Sequence, residues 1–184
     1  MRLSRTLTAG AALVALATLT GCGEDGEAAT GTDGKSLPKA KDVAAMVRFV
    51  NQYTVCKDLE TEAKAGGSAK KAFAKLPEGS GNGVKERAFC EAERGQPIVM
   101  LTVSDMKKFV AGLKAKEDAG EDGVAMVGAD FAIVPGDNGT STALKASGLL
   151  IASCKADFNS KIPSGYLKRE GLVQGCLMTD YFPE

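Results

Sequence analysis

Residues 84–103 have the sequence VKERAFCEAERGQPIVMLTV, and this stretch decides the fold. Its second half contains a run at 98–103 that is apolar except for Thr102, which is typical of a buried strand. By composition, its first half suits either a helix or a strand. Because the turn residues 94–97 separate the two halves, we predict a β-hairpin.

The chain after this hairpin alternates helices and strands. Residues 104–113 predict a helix with Ser104 as its N-cap and with Phe109, Val110 and Leu113 on one apolar face. The acidic segment 117–123 lacks the ligand pattern of an EF-hand calcium loop and predicts a solvated turn. Further predicted elements are a strand over 124–134, a short helix over 141–146, a strand over 149–152 and a last strand over 172–179.

Two helices are predicted before the hairpin. Residues 39–65 carry apolar side chains at helical spacing, with Cys56 among them. A second helix follows over 68–76 and ends at Pro77. The order of these elements predicts an α+β fold in which a mainly antiparallel sheet is covered on one face by helices.

The composition excludes several classes of function. The chain has 184 residues with 23 basic and 23 acidic side chains, so it lacks the basic excess of a nucleic-acid-binding protein. It contains no histidine, which rules out Ser-His-Asp and Cys-His nucleophiles and a His-ligated zinc. We therefore predict no metal, no cofactor and no nucleic-acid partner.

The N-terminus has the features of an export signal. Arg2 and Arg5 precede roughly 13 residues of apolar character, whereas a helix needs ~20 to cross a bilayer. This stretch ends in Leu19-Thr20-Gly21-Cys22, which resembles the lipobox of bacterial lipoproteins. In that family the cysteine thiol receives a diacylglyceryl group, and the peptide bond before it is cut. The resemblance implies a signal peptide over 1–21 and a lipid anchor on Cys22.

The residues that follow the anchor predict two further regions. Residues 22–37 are rich in glycine and acidic side chains and poor in apolar ones, which indicates a flexible tether. Residues 38–184 have the length and apolar content of a single domain.

Four cysteines remain once Cys22 is assigned to lipid. Cys56, Cys90, Cys154 and Cys176 are an even number in an exported chain, so we predict two disulfides. Of the three possible connectivities we favour Cys56–Cys90 and Cys154–Cys176, because they join neighbours along the chain and close the shorter loops. A zinc site or a redox-active pair would be expected to show C-x-x-C spacing, which these cysteines lack.

The chain from Cys56 onward resembles small lipoproteins of the Gram-positive, actinobacterial type. In these proteins a cysteine in an early helix accompanies a cysteine-containing strand, an apolar strand, a helix and a Val-Gly-x-x-aromatic strand. The matching positions here are Cys56, Cys90, 98–103, 104–113 and Val127 to Phe131. The resemblance supports export and lipid anchoring, and it implies no activity.

Two classes of function are compatible with these observations. We expect a non-catalytic binding domain anchored at the outer face of the cytoplasmic membrane. Its partners would be membrane lipid, the lipoprotein-processing enzymes and an envelope protein or ligand. The alternative is an envelope hydrolase that uses carboxylates or a Ser-Lys pair.

The Ser-Lys alternative rests on a common motif. Ser-x-x-Lys occurs at Ser36/Lys39, Ser68/Lys71 and Ser104/Lys107. The Lys-Thr-Gly and Ser-Asp-Asn motifs that accompany it in penicillin-recognising enzymes are absent from the sequence.

Overall fold

A computed structural model of the chain describes residues 36–64, 66–74, 76–121 and 124–183. Within these ranges the strands are β1 (Lys57–Thr61), β2 (Val84–Glu91), β3 (Pro97–Val103), β4 (Ala125–Val127), β5 (Phe131–Pro135), β6 (Leu150–Ser153), β7 (Lys168–Glu170) and β8 (Leu177–Thr179). They form one sheet in the order β1-β2-β3-β5-β4-β6-β8-β7, and each neighbouring pair is antiparallel. The predicted α+β fold with its mainly antiparallel sheet is confirmed. The α-helices of the same ranges are α1 (Val43–Val50), α2 (Gly67–Ala74), α3 (Met106–Asp118), α4 (Asn138–Leu144) and α5 (Phe158–Lys161).

The predicted hairpin lies inside this sheet. Strands β2 and β3 pair from Val84 opposite Val103 to Glu91 opposite Pro97. Gly95 has φ = 67° in the turn between them, a conformation that costs glycine little. Residues of the first half that suit a helix by composition are strand here, because they pair along the apolar β3.

Helices cover both faces of the sheet, which corrects the expectation of cover on one face. Val99 and Leu101 of β3 belong to the cluster under α2 and α3, whereas Ile98 and Met100 belong to the cluster under α1, α4 and α5. Successive side chains of a strand point to opposite faces. A strand with apolar side chains at successive positions, such as Ile98 to Leu101, therefore needs apolar cover on both sides of the sheet.

The chain connections explain how the helices divide between the faces. Three of them, β3-α3-β4, β5-α4-β6 and β6-α5-β7, step in the same direction along the sheet and each skips one strand position. Strand β3 runs opposite to β5 and β6. Connections that share the usual right-handed sense must then place α3 on one face and both α4 and α5 on the other, as the two clusters show.

The helix predicted over 39–65 is wrong in extent. Helix α1 ends at Val50, and Cys56 lies between it and the edge strand β1. The Asn51 side chain accepts a hydrogen bond from the Cys56 backbone N–H at 3.0 Å. The apolar spacing continued beyond Val50 because Tyr53 and Cys56 pack against the same core cluster without being helical.

Three smaller predictions also need correction. The N-cap of α3 is Asp105, whose carboxylate accepts from the Lys108 N–H, and not Ser104. The strand predicted over 172–179 is confined to β8. The single strand predicted over 124–134 is two antiparallel strands, β4 and β5, joined by a turn at 128–130. Strand β7 and helix α5 were not predicted, because three or four mostly polar residues give no periodic signal.

Both predicted disulfides are present. Cys56 is bonded to Cys90, with their Cα atoms 5.3 Å apart, and Cys154 is bonded to Cys176. The first bond attaches the segment after α1 to strand β2. The second attaches the end of β6 to the turn before β8, so the two bonds fix opposite halves of the sheet.

Candidate functional site

An open cleft of about 680 Å³ lies where α3 ends beside the last residues of β6. Its walls come from the last turn of α3, the turn after it, the start of α5 and the Cys154–Cys176 disulfide. The lining side chains with polar or charged groups are Lys114, Glu117, Asp118, Glu121, Ser153, Lys155 and Asn159. We call this region the Glu117 cleft.

Glu117 is the half-buried carboxylate of the cleft. One carboxylate oxygen accepts a hydrogen bond from the Cys154 backbone N–H at 2.6 Å, and the other accepts from the Ser153 hydroxyl at 3.2 Å. Ser153 and Cys154 are buried, so these bonds satisfy donors that have little access to water. Glu117 therefore joins the end of α3 to the end of β6.

Burial raises the pKa of Glu117 above its ordinary value, while the hydrogen bonds from Cys154 and Ser153 and the charge of Lys155 oppose the rise. A carboxyl group with a raised pKa in a cleft can exchange a proton nearer to neutral pH than an exposed one. Such a group can also change its hydrogen bonding as a ligand enters.

Lys114, Asp118 and Glu121, which also line the cleft, are each in an ion pair. Lys114 donates to the carboxylate of Asp118 at 3.0 Å, and Lys116 donates to Glu121 at 3.1 Å. These exposed pairs hold the rim in place with little net stabilisation. The cleft thus presents both signs of charge around one desolvated carboxyl group.

A second polar cluster surrounds Arg87, which is 5% exposed. Its guanidinium donates to both oxygens of Glu62, to Glu78 and to the backbone carbonyl of Phe73, and it lies 5.1 Å from the centre of the Phe73 ring. The bond to Glu62 raises the pKa of Arg87 and lowers the pKa of Glu62, so both stay charged. This cluster fixes α2 and the turn after β1 against β2.

The structure does not bring the Ser-Lys candidates into a common site. The Ser104 hydroxyl donates to the Gly83 carbonyl at 3.1 Å, and Ser36 lies in the exposed segment before α1. The side chain of Ser68 and the proposed lipidation residue Cys22 lie outside the described parts of the chain.

Sequence reasoning did not single out Glu117, although one signal points to it. The buried stripe of α3 is Phe109, Val110 and Leu113, and Glu117 follows Leu113 by one further turn. A carboxylate at a position that continues an apolar stripe is expected to be partly desolvated. The sequence prediction placed 117–123 in a solvated turn, whereas 117 and 118 are the end of the helix.

Neither a metal-ligand group nor a membrane-spanning helix is found in the described ranges. No three His, Cys, Asp or Glu side chains there are grouped as a metal site would require. In the same ranges, no helix has both the length and the apolar character to cross a bilayer.

Comparison of this chain with protein-family models, with curated proteins and with solved structures gave no match.

Proposed function

We propose that this protein is a lipid-anchored, extracytoplasmic binding domain whose ligand site is the Glu117 cleft. The observation that carries the binding role is the cleft itself. It has a volume suited to a small polar molecule or to a short segment of a larger partner.

The anchor is supported by the sequence. Cys22 follows Leu19-Thr20-Gly21 after a charged and then apolar N-terminus. Two acyl chains would hold the protein stably at a membrane, whereas one chain gives only reversible binding. The two disulfides suit an oxidising compartment outside the cytoplasm.

The anchor is tested by replacing Cys22. We expect Cys22→Ser to move the protein from the membrane fraction to the soluble fraction, with loss of the diacylglyceryl mass. Thr32→Ala, which changes the same segment without removing the thiol, is the control and should remain in the membrane fraction. Membrane association of Cys22→Ser equal to that of the control would contradict the proposal.

The binding role is tested with a photo-cross-linking amino acid in intact cells. One variant carries it at Asn159, which lines the cleft, and a matched variant carries it at the exposed Thr142 of α4. We expect an adduct from position 159 that is missing from position 142 and is weakened by Glu117→Gln. Identical adducts from both positions, or none from 159, would argue against a ligand in the cleft.

The second candidate is an envelope hydrolase with Glu117 as its general acid. The raised pKa of this carboxyl group is the observation that favours it. The other two carboxylates of the cleft, Asp118 and Glu121, are bonded to Lys114 and Lys116, so neither is an unpaired partner for Glu117. The ligand that cross-linking identifies can then be offered to the wild-type protein. Its hydrolysis by the wild type but not by Glu117→Gln would favour the hydrolase over the binding domain.

A further inference from the structure

The sheet ends at β7, which has no strand on its outer side among the described residues. The N–H groups of Leu167 and Gly171, which flank β7, donate to residues on the β8 side. Backbone groups of an antiparallel strand alternate between its two sides. The N–H and C=O groups of Lys168 and Glu170 therefore face outward, where another strand could pair with them.

The two outward-facing residues carry charges of opposite sign. The side chains of Lys168 and Glu170 are exposed, and they share one face of the sheet because alternate residues of a strand point the same way. Lys168 donates to the Asn159 carbonyl of α5 at 3.2 Å, so this is the face that α5 covers. Among the described residues, neither Lys168 nor Glu170 is in an ion pair.

Two exposed apolar side chains continue the same pattern. Tyr166 is 47% exposed and Leu172 is 45% exposed, and each lies three residues from Arg169. The Tyr166 ring contacts the ring of Tyr181, which packs in the cluster under α5, so Tyr166 lies on the same face as Lys168. Every second position along this edge thus carries, in order, an apolar group, a positive charge, a negative charge and an apolar group.

This order is self-complementary when the strand meets an antiparallel copy of itself. Within β7 the twofold axis can lie at Lys168, at Arg169 or at Glu170. An axis at 168 or at 170 sets like charges opposite each other, which destabilises a sheet. The axis at 169 sets Lys168 opposite Glu170 twice. It also sets Tyr166 opposite Leu172 twice, and both kinds of pair stabilise a sheet.

We propose that β7 pairs antiparallel with β7 of a second copy of this chain, with Lys168 opposite Glu170, so that the two sheets join across a twofold axis at Arg169. The same surface is used on both copies, so the contact closes as a dimer. Pairing over residues 166–172 alone buries less than the ~1,200 Å² of a standard stable interface, so the dimer is weak and reversible.

Three other charges lie near this edge. Arg169 meets its equivalent at the axis, which opposes pairing, but its side chain lies on the other face and already interacts within its own chain. Asp180 is on the β8 side and accepts the Leu167 N–H, and Lys161 of α5 is paired with Asp157. The two symmetric pairs of Lys168 with Glu170 therefore decide the register.

The opposite edge of the sheet, β1, lacks this order. Its register with β2 shifts between Lys57 and Glu60, and Asp58 has φ = 51°. Irregular edge strands pair poorly with other chains. Leu59 of β1 is 48% exposed, which makes it a matched control for Leu172.

Photo-cross-linking in intact cells tests the pairing. The full chain carries a photo-cross-linking amino acid at position 172 in one variant and at position 59 in the control. We expect position 172 to give an adduct of twice the monomer mass, with the cross-link mapped by mass spectrometry to the segment around Tyr166, and position 59 to give none. An adduct with a different protein, no adduct at 172, or equal self-adducts from both positions would overturn the proposal.

Charge reversal tests the register in the same cross-linking variant. Lys168→Glu and Glu170→Lys should each lower the dimer adduct about tenfold, because both symmetric pairs become repulsive. The double variant Lys168→Glu/Glu170→Lys should restore the adduct, and so should coexpression of the two single variants. Lys57→Glu, the same charge change on β1, should leave it unchanged. A dimer adduct that persists in Lys168→Glu, or that neither restoration recovers, would overturn the proposed register.

Discussion

Replacement of Glu117 by alanine should destabilise the fold through the buried donors that it leaves behind. Cys154 is 7% exposed, and its N–H donates to Glu117 at 2.6 Å. A buried donor left without an acceptor costs ~1–3 kcal/mol. We therefore expect Glu117→Ala to lower the free energy of unfolding by about 2 kcal/mol, which lowers Tm by about 4–8 °C in a chain of this size.

The effect should depend on pH in a defined direction. Because burial raises the folded-state pKa of Glu117 above its ordinary value of 4.5, the folded protein binds this proton more tightly than the unfolded chain. The contribution of Glu117 to stability is complete below the ordinary pKa and decreases as pH rises through the raised one. The difference between wild type and Glu117→Ala should therefore be larger at pH 4 than at pH 8.

Thermal unfolding followed by circular dichroism between pH 4 and pH 8 measures both quantities. Glu117→Gln keeps an acceptor for Cys154 and removes the charge, so it should match the wild type at pH 4 and be at least as stable at pH 8. Asp118→Ala is the adjacent control, because that side chain is exposed and should change stability by less than about 0.5 kcal/mol. A Glu117→Ala effect no larger than that of Asp118→Ala, or one that grows with pH, would refute the reasoning.

Three further predictions concern the scaffold. Cys56→Ala/Cys90→Ala should lower stability by about 4 kcal/mol in urea denaturation, from the entropy of a loop with a sequence separation of 34. Its midpoint should stay above that of fully reduced wild type, which also loses the Cys154–Cys176 bond; a midpoint equal to that of oxidised wild type would contradict the prediction. Glu62→Ala should lower the free energy of unfolding by about 2 kcal/mol, because it leaves the buried Arg87 guanidinium short of an acceptor. Arg87→Met should lower it by only about 1 kcal/mol, because it removes the buried charge itself. The reverse order in the same assay would contradict this. Asp137→Ala should lower the free energy of unfolding by about 1 kcal/mol at pH 7 through loss of the α4 N-cap. A backbone hydrogen bond lowers the pKa of Asp137 below 3.8. The stability difference between wild type and Asp137→Ala should therefore shrink as pH falls through that lowered pKa.

Local patterns predicted the elements that are long or that carry strong apolar signals. The run at 98–103 indicated a buried strand, and the apolar face of α3 indicated a helix, because each pattern recurs within a few residues. The helix over 39–65 was overextended for the same reason. Tyr53 and Cys56 keep helical spacing, but the disulfide to Cys90 and the pairing of β1 with β2 decide the conformation there.

The candidate site was less accessible to sequence reasoning than the fold. Glu117 is one of 23 acidic residues, and nothing in its immediate neighbours distinguishes it apart from its position after Leu113. Its hydrogen-bond partners Ser153 and Cys154 lie 36 and 37 residues further along the chain.

The sequence by itself determined the α+β class, the hairpin, the even set of four cysteines and the absence of histidine chemistry. These follow from composition and from periodicities that extend over ten residues or fewer. Only the tertiary structure decided that helices cover both faces, that Arg87 is enclosed by carboxylates and that Glu117 is half-buried in a cleft. The reason is physical: desolvation and pairing depend on groups that the sheet brings together from distant parts of the chain.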